Sequence, residues 1–315
     1  MKQPPPSDKR RRPLPDQQPN PSADDPAAPA QVRKIIASPS YRRADRDPDF
    51  LQRPDMRGLR LMLDYLKPQT LLNEHDVAHT IVVFGSTRIP EPAVAHRAVA
   101  GVTAAAAAAP QDAELQRRLE TARNVAANSR YYDVARQFGR LVGVCGNKAI
   151  GGRIMVMTGG GPGIMEAANR GACDVGAHSI GLNIELPHEQ YPNPYVSPDL
   201  AFSFRYFAMR KLHFLLRARA LVAFPGGYGT LDELFEVLTL SQTRKLSPVP
   251  VILVGQSYWR RVFDPDFLVS QGTIEPGAET AEEVWRDILL WYEHKGEPIL
   301  PPDAADEFCR PAGTG

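Results

Sequence analysis

Three times in this chain a short apolar run ends in a glycine-rich turn that leads into a helical pattern, and this repetition leaves few folds open. The runs are Thr80-Ile81-Val82-Val83-Phe84, Arg153-Ile154-Met155-Val156-Met157 and Leu221-Val222-Ala223-Phe224. They meet the turns Gly85-Ser86-Thr87-Arg88, Thr158-Gly159-Gly160-Gly161-Pro162-Gly163 and Pro225-Gly226-Gly227-Tyr228-Gly229. Two more apolar runs, at 179–184 and 249–254, extend the alternation to five strands. Strands that are apolar on both faces and alternate with helices belong to a parallel sheet covered on both sides. The sequence therefore predicts a doubly wound α/β domain. Ligands of such sheets lie at the carboxyl ends of the strands, where all three glycine turns fall.

The domain is expected over residues 49–297, as a single unit. Its first helix lies within 50–76 and is interrupted at Pro68. The segment near 92–110, with its alanine run, is an insertion that reads equally as helix or loop. Residues 202–218 read as one apolar helix carrying Arg205, Arg210, Lys211 and Arg217. Residues 1–48 are rich in proline, serine, arginine and aspartate, a composition that cannot bury enough apolar surface to offset its ordering entropy, and are expected to be a disordered tail. Within it, Lys9-Arg10-Arg11-Arg12 reads as a solvated charge run. Residues 298–315 are expected to form a loose C-terminal tail.

Several function classes drop out. A net charge of +1 over 315 residues argues against a protein that coats nucleic acid or an anionic membrane. Cys145, Cys173 and Cys309 are widely spaced and contain no Cys-x-x-Cys pair, so neither a disulfide framework nor a zinc site is expected. No window reaches the ~20 apolar residues of a membrane helix, and the charged, proline-rich N-terminus lacks the apolar core of a signal peptide. The expectation is a cytoplasmic protein. His75 and His79 lack the glutamate of a zinc-protease helix, and no catalytic metal is expected. The P-loop pattern and the G-x-S-x-G nucleophile elbow are absent.

The turn at 159–163, with Glu185 at the end of the next strand, invites a dinucleotide reading, but its spacing fails. Counting G-x-G-x-x-G from Gly159 puts Ile164 at the last glycine, and counting from Gly161 puts Glu166 there. The turn at 225–229 opens a helix, whose N-terminal amides and dipole suit an anion, most simply a phosphate. Glu233 stands in the first turns of that helix. Arg210 and Lys211, on an apolar helix, demand an anion, supplied either by a structural ion pair or by a ligand. Glu236, one helical turn past Glu233, reads either as a second acid or as a solvated surface residue.

These residues carry a resemblance. Met209-Arg210-Lys211, the string Pro225-Gly226-Gly227-Tyr228-Gly229-Thr230-Leu231-Asp232-Glu233 and the upstream Gly159-Gly160-Gly161-Pro162-Gly163-Ile164-Met165 closely resemble the Lonely guy phosphoribohydrolases, long mislabelled as lysine decarboxylases. Where short plant-type members carry a glycine, this chain has Glu166, a form similar to longer bacterial relatives that include nucleotide nucleosidases. The resemblance implies a Rossmann-like fold, a homodimer or larger assembly, and no cofactor. It implies hydrolysis of the N-glycosidic bond of a purine nucleoside 5′-monophosphate, adenosine monophosphate or a cytokinin riboside monophosphate. Arg210 and Glu233 fall on the family's catalytic positions, with Glu236 the candidate second acid. Phosphate and substrate contacts are expected from Gly85, Ser86, Gly160, Gly161, Gly163, Met165, Glu166, Met209, Lys211, Gly226, Gly227, Gly229 and Thr230. The alternative is a non-catalytic carrier of a phosphorylated ligand such as the molybdenum cofactor, since relatives with similar glycine loops resemble such carriers. A pyridoxal-dependent decarboxylase is disfavoured because the only His-Lys pair, His294-Lys295, lies near the C-terminal tail.

Overall fold

A computed structural model describes residues 25–185, 191–247, 249–262, 270 and 281–301. Two compact units divide the chain, Met1–Arg60 and Leu61–Gly315. In the first, α1 (Ala28–Ala37) carries Pro29 in its first turn, where no backbone donor is lost, and buries none of its residues. Part of the segment expected to be a disordered tail is thus helical, while residues 1–24 lie outside the described residues. The short α2 (Pro48–Leu51) is capped by Asp47, whose carboxylate accepts from Phe50 N.

The second unit is built on six parallel strands in the order β4-β3-β2-β1-β5-β6. These are β1 (Val77–Phe84), β2 (Arg153–Thr158), β3 (Ser179–Ile184), β4 (Ala201–Phe204), β5 (Ala218–Ala223) and β6 (Val251–Leu253). Between and around them run α3 (Arg57–Glu74), which also spans the unit boundary, α4 (Pro92–Ala108), α5 (Ala113–Asn128), α6 (Arg130–Cys145), α7 (Ile164–Asp174), α8 (Phe207–Leu216), α9 (Tyr228–Gln242), α10 (Gln256–Val262) and α11 (Ala281–His294).

Alternate side chains of one strand enter opposite cores, which is why the strands read as unbroken apolar runs. Ile81 and Val83 of β1 join Phe138 and Val142 of α6, Ala167 and Ala168 of α7, and Trp285 and Ile288 of α11. Val82 and Phe84 join Phe214 of α8, Leu234 and Val237 of α9, and Trp259 of α10. The sheet is therefore doubly wound, as its sequence predicts. On the first face α6 and α7 meet almost backbone to backbone. A Cβ at Gly139 would strike the Ala168 carbonyl, and one at Gly171 the Arg136 carbonyl.

Three details differ from the sequence reading, and one alternative left open is decided. Residues 202–218 are not one helix: Ala201–Phe204 is an edge strand whose residues alternate exposed and buried, and only Phe207–Leu216 is helical. The period-two pattern of Phe202 and Phe204 was hidden by the apolar residues that follow. Pro68 does not interrupt α3, which runs through it; the proline costs one backbone bond, and Leu72, fully buried, anchors the last turn. Of the helix and the loop left open for the alanine-rich insertion, the helix is found, forming α4 beside α5. Finally, Ile299 and Leu300 are 4% and 2% exposed, and Ile150 N donates to Ile299 O at 2.9 Å, so the packed chain extends past residue 298. Residues 302–315 lie outside the described residues.

Candidate active site

In the sheet order the strand β1 stands between β2 and β5, so connections leave it in both directions and a crevice opens at this reversal. The three glycine turns close around it. Ser86 N donates to Pro225 O at 3.0 Å, and Ile164 N donates to Ser86 O at 3.1 Å, so the turn after β1 is tied to both of the others. Glycine is required where they touch. Gly163 has φ +72°, and a Cβ there would run into the Ser86 carbonyl and the Thr87 backbone. A Cβ on Gly85 would lie 2.6 Å from the Ile164 side chain.

Between the turns lies a cavity of about 600 Å³. Gly85, Ser86, Thr87 and Arg88 line it from the β1 turn, and Gly159 and Met165 from the β2 turn. Gly227, Tyr228, Gly229, Thr230, Asp232 and Glu233 line it from α9 and its approach, and Phe207 and Arg210 from α8. The amides of Gly227, Tyr228 and Gly229 precede the first bond inside α9, where Thr230 N and Leu231 N return to Gly227 O. They are donors set at the positive end of a helix dipole.

Glu233 is 7% exposed, and among the described residues nothing hydrogen-bonds to its carboxyl. Burial pushes its pKa up to about 7, against the opposing pull of Lys211 and then Arg210. Arg210 donates from Nε to Leu182 O at 2.7 Å and lies over the Phe214 ring, 5.1 Å from its centroid. Burial depresses its pKa, and Glu233 resists that shift. The absence of a side chain on Gly159 makes room for the guanidinium, since a Cβ there would lie 2.5 Å from Arg210 Nη2. A buried acid with a pKa near neutrality beside a half-buried cation without an ion pair is the arrangement expected of a reacting site.

Of the residues expected at the site, Gly85, Ser86, Met165, Arg210, Gly227, Gly229, Thr230 and Glu233 line the cavity. The others stand behind its wall. Lys211 Nζ pairs with Asp232 at 2.8 Å and Glu236 at 3.1 Å, clamping α8 to α9. The anion that Lys211 demands is here supplied by a structural ion pair, which also engages the Glu236 carboxylate. Burial pulls the Lys211 pKa down, but the hydrogen bonds to Asp232 and Glu236 outweigh it and leave it raised. Glu166 accepts from Tyr132 Oη at 2.9 Å. Met209 packs into the core on the α8 side. Gly226 lies against Thr230 and accepts from Tyr258 Oη through its carbonyl.

Gly160 and Gly161 are held from below by a buried polar network absent from the sequence reading. Thr158 Oγ1 accepts from Gly160 N at 2.9 Å and donates to Asn169 Oδ1 at 2.7 Å. Asn193 N donates to Gly160 O, and Asn193 Nδ2 donates to Gly161 O and Asn169 Oδ1, both at 3.0 Å. Arg88, Phe207, Tyr228 and Asp232 line the cavity without having been assigned a part in it. For Tyr228 and Asp232 the signal was their place inside the glycine string; for Phe207 it was a position one helical turn before Arg210. Among the described residues no group of three or more His, Cys, Asp or Glu could hold a metal, and no helix is long and apolar enough to cross a membrane.

Comparison with known proteins bears on this geometry. Residues 165–288 match the family described as "Possible lysine decarboxylase". A cytokinin riboside 5′-monophosphate phosphoribohydrolase of Arabidopsis thaliana is 32% identical over 178 residues, covering 52% of this chain and 79% of that one. A probable enzyme of the same name from Oryza sativa subsp. japonica is 32% identical over 154 residues, 47% of this chain and 60% of the relative. A further Arabidopsis thaliana enzyme of that name is 32% identical over 144 residues, with 64% of the relative covered. The chain thus spans less than two thirds of the length of these last two relatives. Among solved structures, a Moco carrier protein from Chlamydomonas reinhardtii aligns with 68% of this chain and 98% of its own at 18% identity, with a TM-score of 0.38. That likeness is too distant to bear on the ligand.

Proposed function

Because the chain belongs to the family of the cytokinin riboside 5′-monophosphate phosphoribohydrolases, the Lonely guy family, we propose that it hydrolyses the N-glycosidic bond of a purine nucleoside 5′-monophosphate. Water adds to C1′ and loses a proton, the bond from C1′ to the base nitrogen breaks, the departing base takes up a proton from solvent, and the products are free base and ribose 5-phosphate. The observation that carries this reading is the buried Glu233 carboxyl, free of hydrogen bonds among the described residues, in the same cavity as the helix-end amides and Arg210.

As the glycosidic bond lengthens, the sugar takes on oxocarbenium character, which an ionised Glu233 stabilises while it orients the attacking water. Its pKa of about 7 leaves a large ionised fraction at neutral pH and keeps it basic enough to receive a proton from that water. Arg210, too basic to give up a proton, donates hydrogen bonds to the departing base and disperses its developing charge. Thr230 and the amides of Gly227, Tyr228 and Gly229 hold the 5′-phosphate.

The test is product analysis. Purified protein is incubated with each common nucleoside 5′-monophosphate and with an N6-substituted adenosine monophosphate of the cytokinin class, and free base and ribose 5-phosphate are separated and quantified. Release of both products from a purine nucleotide is the expected result, and the ratio of rates between plain and substituted adenine sets the substrate class. A folded protein that releases neither product from any of them is not this hydrolase.

A further inference from the structure

Arg88 is the charged residue of the β1 turn, and the sequence reading gives it no part although it lines the cavity. The turn is hydrogen-bonded to the β5 turn through Ser86 N and to the start of α7 through Ser86 O. The Arg88 N–H itself donates to Ser86 Oγ at 3.0 Å. The backbone of Arg88 is thus held by Ser86, the residue that joins the two other glycine turns.

The charges around the cavity are unevenly committed. Lys211 is bound to Asp232 and Glu236. Arg210 is half-buried and donates from Nε to a backbone carbonyl. Arg88 lines the cavity, is exposed, and among the described residues forms no ion pair. On the α9 side of the cavity stand the carboxylates of Asp232, itself paired with Lys211, and Glu233. A phosphate monoester near pH 7 carries ~1.5 to 2 negative charges, whereas the end of a helix supplies only about half a positive charge. The α9 amides alone leave such an anion under-compensated beside the unpaired Glu233 carboxyl.

We infer that Arg88 is the phosphate clamp of this cavity: its guanidinium holds the 5′-phosphate opposite the α9 amides and selects nucleotides over nucleosides. Planar guanidinium and phosphate oxygens pair in a bidentate fork, which fixes the anion's position as well as its charge. The clamp rests on the proposed reaction for the identity of the rest of the ligand, but its phosphate contact is measurable without turnover.

The experiment combines steady-state kinetics on adenosine monophosphate, with adenosine as inhibitor, and calorimetric binding of ribose 5-phosphate, for the natural protein, Arg88→Ala and Arg88→Lys. For Arg88→Ala the KM for the nucleotide rises about 10- to 100-fold and the affinity for ribose 5-phosphate falls by a similar factor. Its kcat for the nucleotide stays within about threefold while KM carries the loss, the inhibition constant of adenosine, which has no phosphate, shifts less than about threefold, and Arg88→Lys recovers part of the loss. Melting temperatures of the three proteins show whether the fold is intact. Unchanged ribose 5-phosphate affinity in a folded Arg88→Ala, or equal losses for nucleotide and nucleoside, overturns the clamp. If the natural protein binds ribose 5-phosphate through Arg88 yet cleaves no nucleotide, the clamp stands and the proposed reaction falls.

Discussion

Arg210 and Glu233 line one cavity and bias each other's charge, yet no hydrogen bond or ion pair joins them. Burial opposes the charged form of both, and the mutual attraction only partly offsets it. Charges buried side by side but unpaired are costly to a fold, and a ligand inserted between them relieves both. Replacing the acid by its neutral isostere tests whether that cost serves chemistry. Glu233→Gln is expected to lower kcat by about 10²- to 10⁴-fold while the protein stays folded. Chromatographic detection of free base measures it, and a variant with full turnover removes Glu233 from the reaction.

The same carboxyl sets a pH dependence of stability. Its folded pKa of about 7 lies above the ordinary value of 4.5, so between these the folded state binds more protons than the unfolded one. Stability therefore falls as pH rises from about 4.5 to 7, and the linkage amounts to about 3 kcal/mol once the group is ionised in both states. Glu233→Gln carries no such term. Relative to the natural protein, the variant should gain about 3 kcal/mol more at pH 8 than at pH 4.5, read from urea unfolding at the two pH values. A pH-independent difference would mean that the carboxyl is not buried in its protonated form.

Activity should rise with pH where the carboxyl ionises, with kcat/KM climbing through a midpoint near 7. Lys211 gives a handle on that midpoint. Its ammonium bridges Asp232 and Glu236, the neighbours that flank Glu233 along α9, and it is the strongest influence keeping the Glu233 pKa from rising further. In Lys211→Met the remaining charged groups acting on Glu233 are Arg210, Asp232 and Glu236, two of them acids. The midpoint should move up, with the plateau at high pH largely kept, and Lys211→Arg should restore it. A loss equal at every pH would point instead to disrupted packing between α8 and α9.

What was legible in the sequence follows from range. Strands apolar on both faces and glycine turns at their ends are local patterns, so the doubly wound sheet and the cavity-lining glycines could be read directly. The edge strand at Phe202 and Phe204 was not, because its alternation is only four residues long and runs into the apolar start of α8. The commitment of Lys211 depends on α8 lying beside α9, which no periodicity encodes. Likewise, Asn193 meets Asn169 across 24 residues of chain, and nothing in either neighbourhood marks the contact. Local chemistry was visible; the ion pairs and buried networks that support it needed the packing.

That buried network makes a stability prediction of its own. Asn169, fully buried, accepts from Thr158 Oγ1 and Asn193 Nδ2 and donates to Ser179 Oγ. Asn169→Ala leaves those three partners wholly or partly unsatisfied and is expected to cost about 2–4 kcal/mol. Urea unfolding gives the value. Turnover at low temperature should fall as well, because the carbonyl of Gly161 and the amide of Gly160 lose the framework that fixes them.

Glycines of the site should separate into two kinds when replaced by alanine. At Gly163 the positive φ and the adjacent Ser86 and Thr87 backbone leave no room, so Gly163→Ala should destabilise the protein as well as inactivate it. At Gly229 a Cβ would meet nothing within 4 Å, the residue is exposed, and its place is the first turn of α9. Alanine there should be tolerated or even stabilising, by up to about 1 kcal/mol and roughly 2–4 °C in melting temperature, because it lowers the entropy of the unfolded chain and favours the helix. If the backbone at this point approaches the substrate phosphate, the added methyl group stands where the phosphate must sit. Gly229→Ala should then melt no lower than the natural protein, yet show a KM for the nucleotide raised at least about tenfold, since a charge-assisted contact is lost. Calorimetry and initial rates on the same preparation measure both. A variant that keeps its melting temperature and its KM would place the phosphate away from the α9 terminus.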